Sequence, residues 1–374
     1  MTSESTEASD TETMPLATKQ RLIRAAAIVS GILQYFIFIS AFGFGGQPIF
    51  ALLCLAISSL FCTLLHEAGH ALAAWAVGWR VIVFAVRPIA VRLPAFSVAF
   101  GKLGQGPEYL GWVQTIPASP ENDTCRNWSE ILAAGPLISL VVAMMAIVSS
   151  LTWLKSWDTH YISASTIGFG FSVHTFSTFL FTLLPSWRPG RRTDGDKLRE
   201  LNEPKYNYHE GRALAWLGTL RSAKVRLRDW PSWLFDEVRL AHADNDEIAK
   251  MLDGIRLGRL LDTFEIDRTA ARKFIEEYRA KFSADDWLTA IDAYFTSVYD
   301  RDPSSACAIL AAWPRPATPT PMFIAAEAAV AAVNKKPKEA KDRLREMMKL
   351  VRAGSPFRDD TFRDIYRQIR KLAA

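Results

Sequence analysis

Charge is nearly missing from the amino-terminal half of this chain. Of the 83 Asp, Glu, Lys and Arg residues among 374, 19 fall in residues 1–187. That is a density of about 10%, where globular domains carry roughly 25%. No charged residue lies between Arg24 and Glu67, between Glu130 and Lys155, or between Asp158 and Arg188. This excludes one uniform soluble fold and points to a membrane half followed by a soluble half. Cysteine is scarce too. Cys54, Cys62, Cys125 and Cys307 form no CxxC pair and no framework, so nothing asks for an oxidising compartment. The basic segment that opens a secretory signal is missing. Residues 1–18 are instead rich in Ser and Thr, with Glu4, Glu7, Asp10 and Glu12, and read as a disordered tail. Nor does any block of one sign dominate. The formal net charge of +5 is −1 in the first half and +6 in the second, with acids interleaved among the bases, which argues against nucleic-acid binding.

The charge-free runs set the expected membrane spans. A bilayer core of about 30 Å needs around 20 helical residues. The run from Arg24 to Glu67 is too long for one crossing and contains Phe44-Gly45-Gly46-Gln47-Pro48, a turn signal. It predicts two spans, near 22–43 and 49–78. The later runs predict a third near 130–154 and a fourth near 161–184. Lys19, Arg21 and Arg24 flank the first span, and the turn at 44–48 has no base. Arg80, Arg87, Arg92, Lys102 and Arg126 separate the second span from the third. Only Lys155 lies between the third and fourth, whereas Arg188, Arg191, Arg192 and Lys197 follow the fourth. Positive-inside bias places both termini and segment 79–128 in the cytoplasm of a multi-pass cell-membrane protein.

Segment 79–128 is not an ordinary loop. Val81–Val86 and Ile89–Val98 are rich in Val, Ile and Phe, broken by Pro88 and Pro94. They predict short strands that pack at or dip into the membrane face, or a plain cytoplasmic hairpin.

Within the second span stands Leu64-Leu65-His66-Glu67-Ala68-Gly69-His70. Residues four apart share a helix face, so His66 and His70 can aim their imidazoles at one metal. Glu67 lies one residue round, where it can reach water at the metal and act as a base. This is the HExxH pattern of zinc metalloproteases. A carboxylate inside a bilayer is costly, which makes Glu67 a functional candidate by position alone. The plainer alternative is a set of polar residues gluing helices together.

A catalytic zinc site takes a third protein ligand and keeps an open position. His174 lies mid-span in the fourth run, where a lone His more often packs helices. The stretch from Leu183 to Asp196 contains Pro185, Pro189 and Gly190. These break the helix, so the chain can fold back and present Asp194 or Asp196.

HEAGH in a span, Ala134-Gly135-Pro136 opening the next, and Leu183-Leu184-Pro185 followed by Asp194-Gly195 resemble the site-2 protease family of intramembrane zinc metalloproteases. The resemblance covers about residues 50–200. Leu110-Gly111-Trp112-Val113 is similar to the Gly-aromatic-Val element that follows that family's strand region. The resemblance implies one zinc ion per chain held by His66, His70 and Asp194, with Glu67 catalytic. Where the family often carries Asn before Leu-Leu-Pro and after Gly-Pro, this chain has Thr182 and Ser139.

From about residue 205 the pattern is helix after helix. Ala271 and Ile275, Ala306 and Leu310, and Ala340 and Leu344 repeat one small-xxx-large pair, at steps of 35 and 34 residues. This resembles tetratricopeptide-type helical hairpins, which offer a groove to a protein or peptide partner. The bases of Arg221–Arg228 and Arg343–Arg352 read as solvated helix faces.

The expected fold is therefore mostly α. A polytopic membrane domain at 19–204, with about four transmembrane helices and a short membrane-associated β region, precedes an α-helical hairpin-repeat cytoplasmic domain at 205–374. The expected function is zinc-dependent hydrolysis of a peptide bond in or near a transmembrane segment of a membrane-protein substrate. The alternatives are a non-enzymatic metal-binding membrane scaffold acting through the helical tail, or a metal-dependent hydrolase of lipid.

Overall fold

The computed structural model describes residues 48–93, 96–100, 110–154, 159–184, 192–203, 208, 211–261, 268–281, 286–352 and 360–373, with 25, 29, 32 and 36. The predicted tail at 1–18 lies outside these residues. So does the first predicted span, except for its four isolated positions, which are helical and exposed. The described residues are mostly helical, with one small antiparallel sheet. They fall into two compact units, one drawn from Met1–Ala76 and Thr124–Tyr206, the other from Val77–Asp123 and Asn207–Ala374.

The first unit contains α1 (Pro48–Ala76), α2 (Cys125–Leu154), α3 (Thr159–Leu183) and α4 (Asp194–Leu201). The start of α2 falls ahead of the charge-free run because charges are not what begins a helix. The Thr124 hydroxyl accepts from the Asn127 N–H at 3.1 Å and caps it. Arg126 and Glu130 then pair across its first turns at 2.9 Å. α1 packs against α2 and α3, and α2 packs along α3. A Cys62 Sγ–Thr175 Oγ1 contact of 2.9 Å joins α1 to α3. Two helical segments, Leu52–Ala76 and Cys125–Thr152, are long and apolar enough to cross a membrane; Ile167–Leu183 is apolar but shorter. Their outward faces carry Ile57, Phe61, Leu72 and Trp75 on α1, and Val141, Met144, Met145 and Val148 on α2, all exposed. A water-facing helix would place polar groups there.

The second unit holds the sheet, in the order β3–β2–β1–β4, with β1 Trp79–Val86, β2 Ile89–Arg92, β3 Ser97–Phe100 and β4 Gly111–Pro117. The run over Ile89–Val98, expected to be broken by Pro94, holds two short strands, β2 and β3. Register aligns Ala85 with Ala90 and Ala90 with Ala99 on a buried face. On the other face Val91 lies opposite Val98 and Ile89 opposite Phe100; Ile89, Val98 and Phe100 are exposed. Apolar residues thus occupy both faces.

Beyond the sheet come α5 (Arg212–Ser222), α6 (Ser232–Ala241), α7 (Asp246–Leu261), α8 (Arg268–Lys281), α9 (Asp286–Val298), α10 (Pro303–Ala311), α11 (Pro321–Val333), α12 (Pro337–Arg352) and α13 (Asp360–Ala373). Ala271, Ala306 and Ala340 sit three residues into α8, α10 and α12, and each is 0% exposed. Their lack of bulk lets neighbouring helices approach. Arg301 and Lys335, with φ of 60° and 57°, make matching left-handed turns before α10 and α12.

Candidate metal centre

His66 and His70 lie one turn apart on α1, their rings edge to face with centroids 4.8 Å apart. Both are buried, as is Glu67. Each imidazole is oriented by α2. His70 Nδ1 lies 2.7 Å from the Ile131 carbonyl oxygen. A carbonyl only accepts, so Nδ1 carries the proton and Nε2 presents its lone pair. His66 Nδ1 lies 3.1 Å from the Ser139 hydroxyl, which donates to the Gly135 carbonyl at 3.2 Å. With its hydrogen so used, Ser139 accepts from His66 Nδ1, and again Nε2 is left bare. Pro136, inside α2, has no N–H to give the carbonyl four residues before it. Second partners of this kind fix a ligating histidine's tautomer and orientation.

The third group arrives from α4. Thr193 caps this helix: its hydroxyl oxygen accepts from the Asp196 N–H at 3.1 Å and donates to the Leu184 carbonyl at 2.8 Å. Asp196 completes a capping box by accepting from the Thr193 N–H at 3.2 Å. The start of α4 therefore sits on the end of α3. Gly195 makes that seat fit, since a Cβ there would lie 1.9 Å from the Leu183 carbonyl oxygen. Of the two aspartates left open by spacing, Asp196 is occupied in the cap. Asp194, at the first helical position, turns its carboxylate to the histidines.

Asp194 Oδ2 stands 3.2 Å from His66 Nε2 and 3.2 Å from His70 Nε2, and the two nitrogens are 3.2 Å apart. Among the described residues, these three side chains form the group that converges as metal donors. Three electron-rich atoms at the corners of such a triangle, with both ring protons committed elsewhere, repel one another unless a cation sits among them. The Lys197 ammonium lies 3.8 Å from Asp194 Oδ1.

The remaining candidates stand apart from this group. His174 lies on α3 and is not among the converging donors. Thr182 donates its hydroxyl to the Phe179 carbonyl of its own helix at 3.0 Å. The Ile131 carbonyl and the orienting role of Ser139 had no signal in residue spacing. Comparison with family models, curated proteins and solved structures found no match to this chain.

Proposed function

We propose that this chain is an intramembrane zinc metalloprotease, similar to the site-2 protease family, that cleaves a peptide bond in or near a transmembrane helix of a membrane-protein substrate. The observation that carries the reading is the 3.2 Å triangle of His66, His70 and Asp194 donor atoms. Ligands held tetrahedrally about 2.0 Å from zinc lie about 3.3 Å from one another. The donor set of two imidazoles and a carboxylate also suits that ion, one per chain, and leaves a fourth position open. Bound zinc supplies a Lewis acid that acidifies water and polarises a carbonyl.

Glu67 is the base in this scheme. It takes a proton from the attacking water and passes it to the leaving amine as the peptide C–N bond breaks. His66 and His70 keep their Nδ1 protons on Ser139 and Ile131, so they take no part in the transfer. A substrate helix must unwind to expose its backbone. In the described sheet β3 and β4 are edge strands, where an extended peptide can add by main-chain hydrogen bonds. The exposed apolar face of Ile89, Val98 and Phe100 suits contact with lipid. The distribution of bases supports four spans with cytoplasmic termini, and α8, α10 and α12, with their recurring alanines, support a cytoplasmic hairpin-repeat region open to a protein or peptide partner.

Glu67→Gln tests this directly. The variant should keep stoichiometric metal and a normal melting profile while cleavage of an accumulating membrane-protein substrate stops. Unchanged processing would point to a metal-binding scaffold instead, and turnover of lipid with inert peptides would point to a lipid hydrolase.

A further inference from the structure

The chain passes between its two compact units three times, between residues 76 and 77, 123 and 124, and 206 and 207. Each passage follows or precedes a helix that furnishes the candidate metal centre. α1, with His66 and His70, ends at Ala76; α2, with Ile131 and Ser139, begins at Cys125; α4, with Asp194, ends at Leu201. His70 and Ile131 are each six residues from those ends, and Asp194 is seven. At 1.5 Å per residue that is about 10 Å along each helix. The Cys125 thiol lies 4.0 Å from the Leu201 carbonyl oxygen, so the ends of α2 and α4 also meet.

Just past these helix ends, one set of contacts gathers all three passages. The first and second are joined at Gly78. Its carbonyl accepts from the Asn122 side-chain amide at 3.1 Å and from the Ala118 N–H at 3.2 Å. The Trp79 indole N–H donates to the Asn122 carbonyl at 2.7 Å. Gly78, with φ of 77°, has no room for a side chain, since a Cβ would stand 2.5 Å from Asn122 Nδ2. The second and third are joined at Asp123. One carboxylate oxygen accepts from the Tyr208 hydroxyl at 2.6 Å, the other from the Trp216 indole N–H of α5 at 3.2 Å. The Trp216 ring meets the Trp79 ring edge to face, with centroids 5.2 Å apart. Arg212 lies over the Tyr208 and Trp216 rings. Trp79, Asp123, Tyr208 and Trp216 are all buried.

Burying a carboxylate is costly, and apolar packing would join the same segments without that cost. Hydrogen bonds to both oxygens add direction, which apolar contact lacks. We propose that Asp123 is a positioning residue for the metal centre. With Tyr208 and Trp216 it clasps the three passages together and so sets how closely the donors of α1 and α4 converge against α2. Its links to the helices are short. Val77 and Gly78 separate α1 from Trp79, and Thr124 alone separates Asp123 from α2. Few dihedrals are available there to absorb a displacement. The helical half of the chain thereby gains a hold on the centre, because a change in α5 that turns Trp216 from Asp123 weakens metal binding. Coupling of this kind is reciprocal: metal that is tightened by the clasp tightens the clasp by the same factor. The inference rests on the metal-centre reading of His66, His70 and Asp194, and not on what a bound metal does.

The test measures zinc affinity of the full chain in detergent against a chelating zinc buffer. Asp123→Ala should bind zinc at least about 5-fold more weakly, with unchanged helix content. Tyr208→Phe, which keeps the ring and loses one hydrogen bond, should fall between that variant and the wild type. Asp364→Ala breaks a carboxylate contact with Arg226 in the same unit and should bind zinc as the wild type does. Wild-type affinity in a folded Asp123→Ala protein overturns the proposal, and so does an equal loss in Asp364→Ala, which would make the effect one of general stability. If Asp123→Ala fails to fold, hydrogen exchange of the wild type decides. Added zinc should slow the amides of 118–123 and 212–217 and leave those of 321–333 unchanged; no slowing at the clasp overturns it. A wild-type chain that binds no zinc overturns the metal-centre reading and the clasp with it, whereas equal affinities in zinc-binding chains overturn the clasp alone.

Discussion

A Cβ at Gly135 would stand 2.3 Å from Nε2 of His70. The backbone of α2 thus forms one wall of the candidate metal centre, and any side chain there displaces His70. Gly135→Ala should lower metal affinity by at least about 10-fold, the scale seen when the surroundings of a metal ligand are disturbed. Gly254→Ala, whose new carbon would meet the Trp287 ring at an ordinary 3.4 Å, should leave it unchanged. Titration of both proteins against a zinc buffer separates the two.

Ser139, midway along α2, and Thr182, near the end of α3, spend their hydroxyls differently. Ser139 orients His66, whereas Thr182 bonds its own helix. Ser139→Ala should therefore weaken zinc binding by about 10- to 100-fold. Thr182→Ala should not change it. Equal metal affinities in the two variants would remove Ser139 from the site.

The two aspartates of α4 should also part company. Asp194→Ala should yield protein without stoichiometric metal. Asp196→Ala loses half of the capping box, costs about 1 kcal/mol of helix stability, and should still bind one metal per chain, more weakly. Elemental analysis after dialysis distinguishes them, and metal retained by Asp194→Ala would move the third ligand elsewhere.

Glu327, on the otherwise apolar α11, gives a pH-dependent prediction. Burial pushes its carboxyl up from the ordinary value, and the charges of Arg343 and Arg315 only partly offset this. The folded chain then holds that proton more tightly than the unfolded chain. The corresponding stability is present below the ordinary carboxyl value and is lost as pH rises through the raised one. Glu327→Gln should therefore gain on the wild type in melting temperature between pH 4.5 and 7. A difference between the two that does not vary with pH would contradict it.

How much of this was legible in the sequence depended on whether a signal was local. His66 and His70 share a face because helical periodicity is local, and α1 runs unbroken through both. The strands of 79–100 were marked by β-branched runs and by the prolines that break them. Ser139 and the Ile131 carbonyl meet residues 73 and 61 positions away. Those contacts follow from where two helices cross, for which spacing along one helix carries no information. The choice between Asp194 and Asp196 depended on a hydrogen bond from Thr193, a matter of one residue. The sheet's place in one compact unit with Asn207–Ala374 had no local signal either: Arg92 is buried and donates to the Lys224 carbonyl at 2.7 Å, a contact between segments distant in the chain.

The seat of α4 on the end of α3 sets a condition on timing. Two ligands are synthesised by residue 70, but the third is residue 194, and its direction depends on a cap closed by residue 196. A growing chain therefore carries both histidines, and the acid between them, through the making of two further helices before the triangle can close. Until Asp194 has been made, the proposed centre lacks its third donor and the proposed hydrolysis cannot begin. On the proposed reading, the order in which the residues are made sets when the centre can first hold a metal.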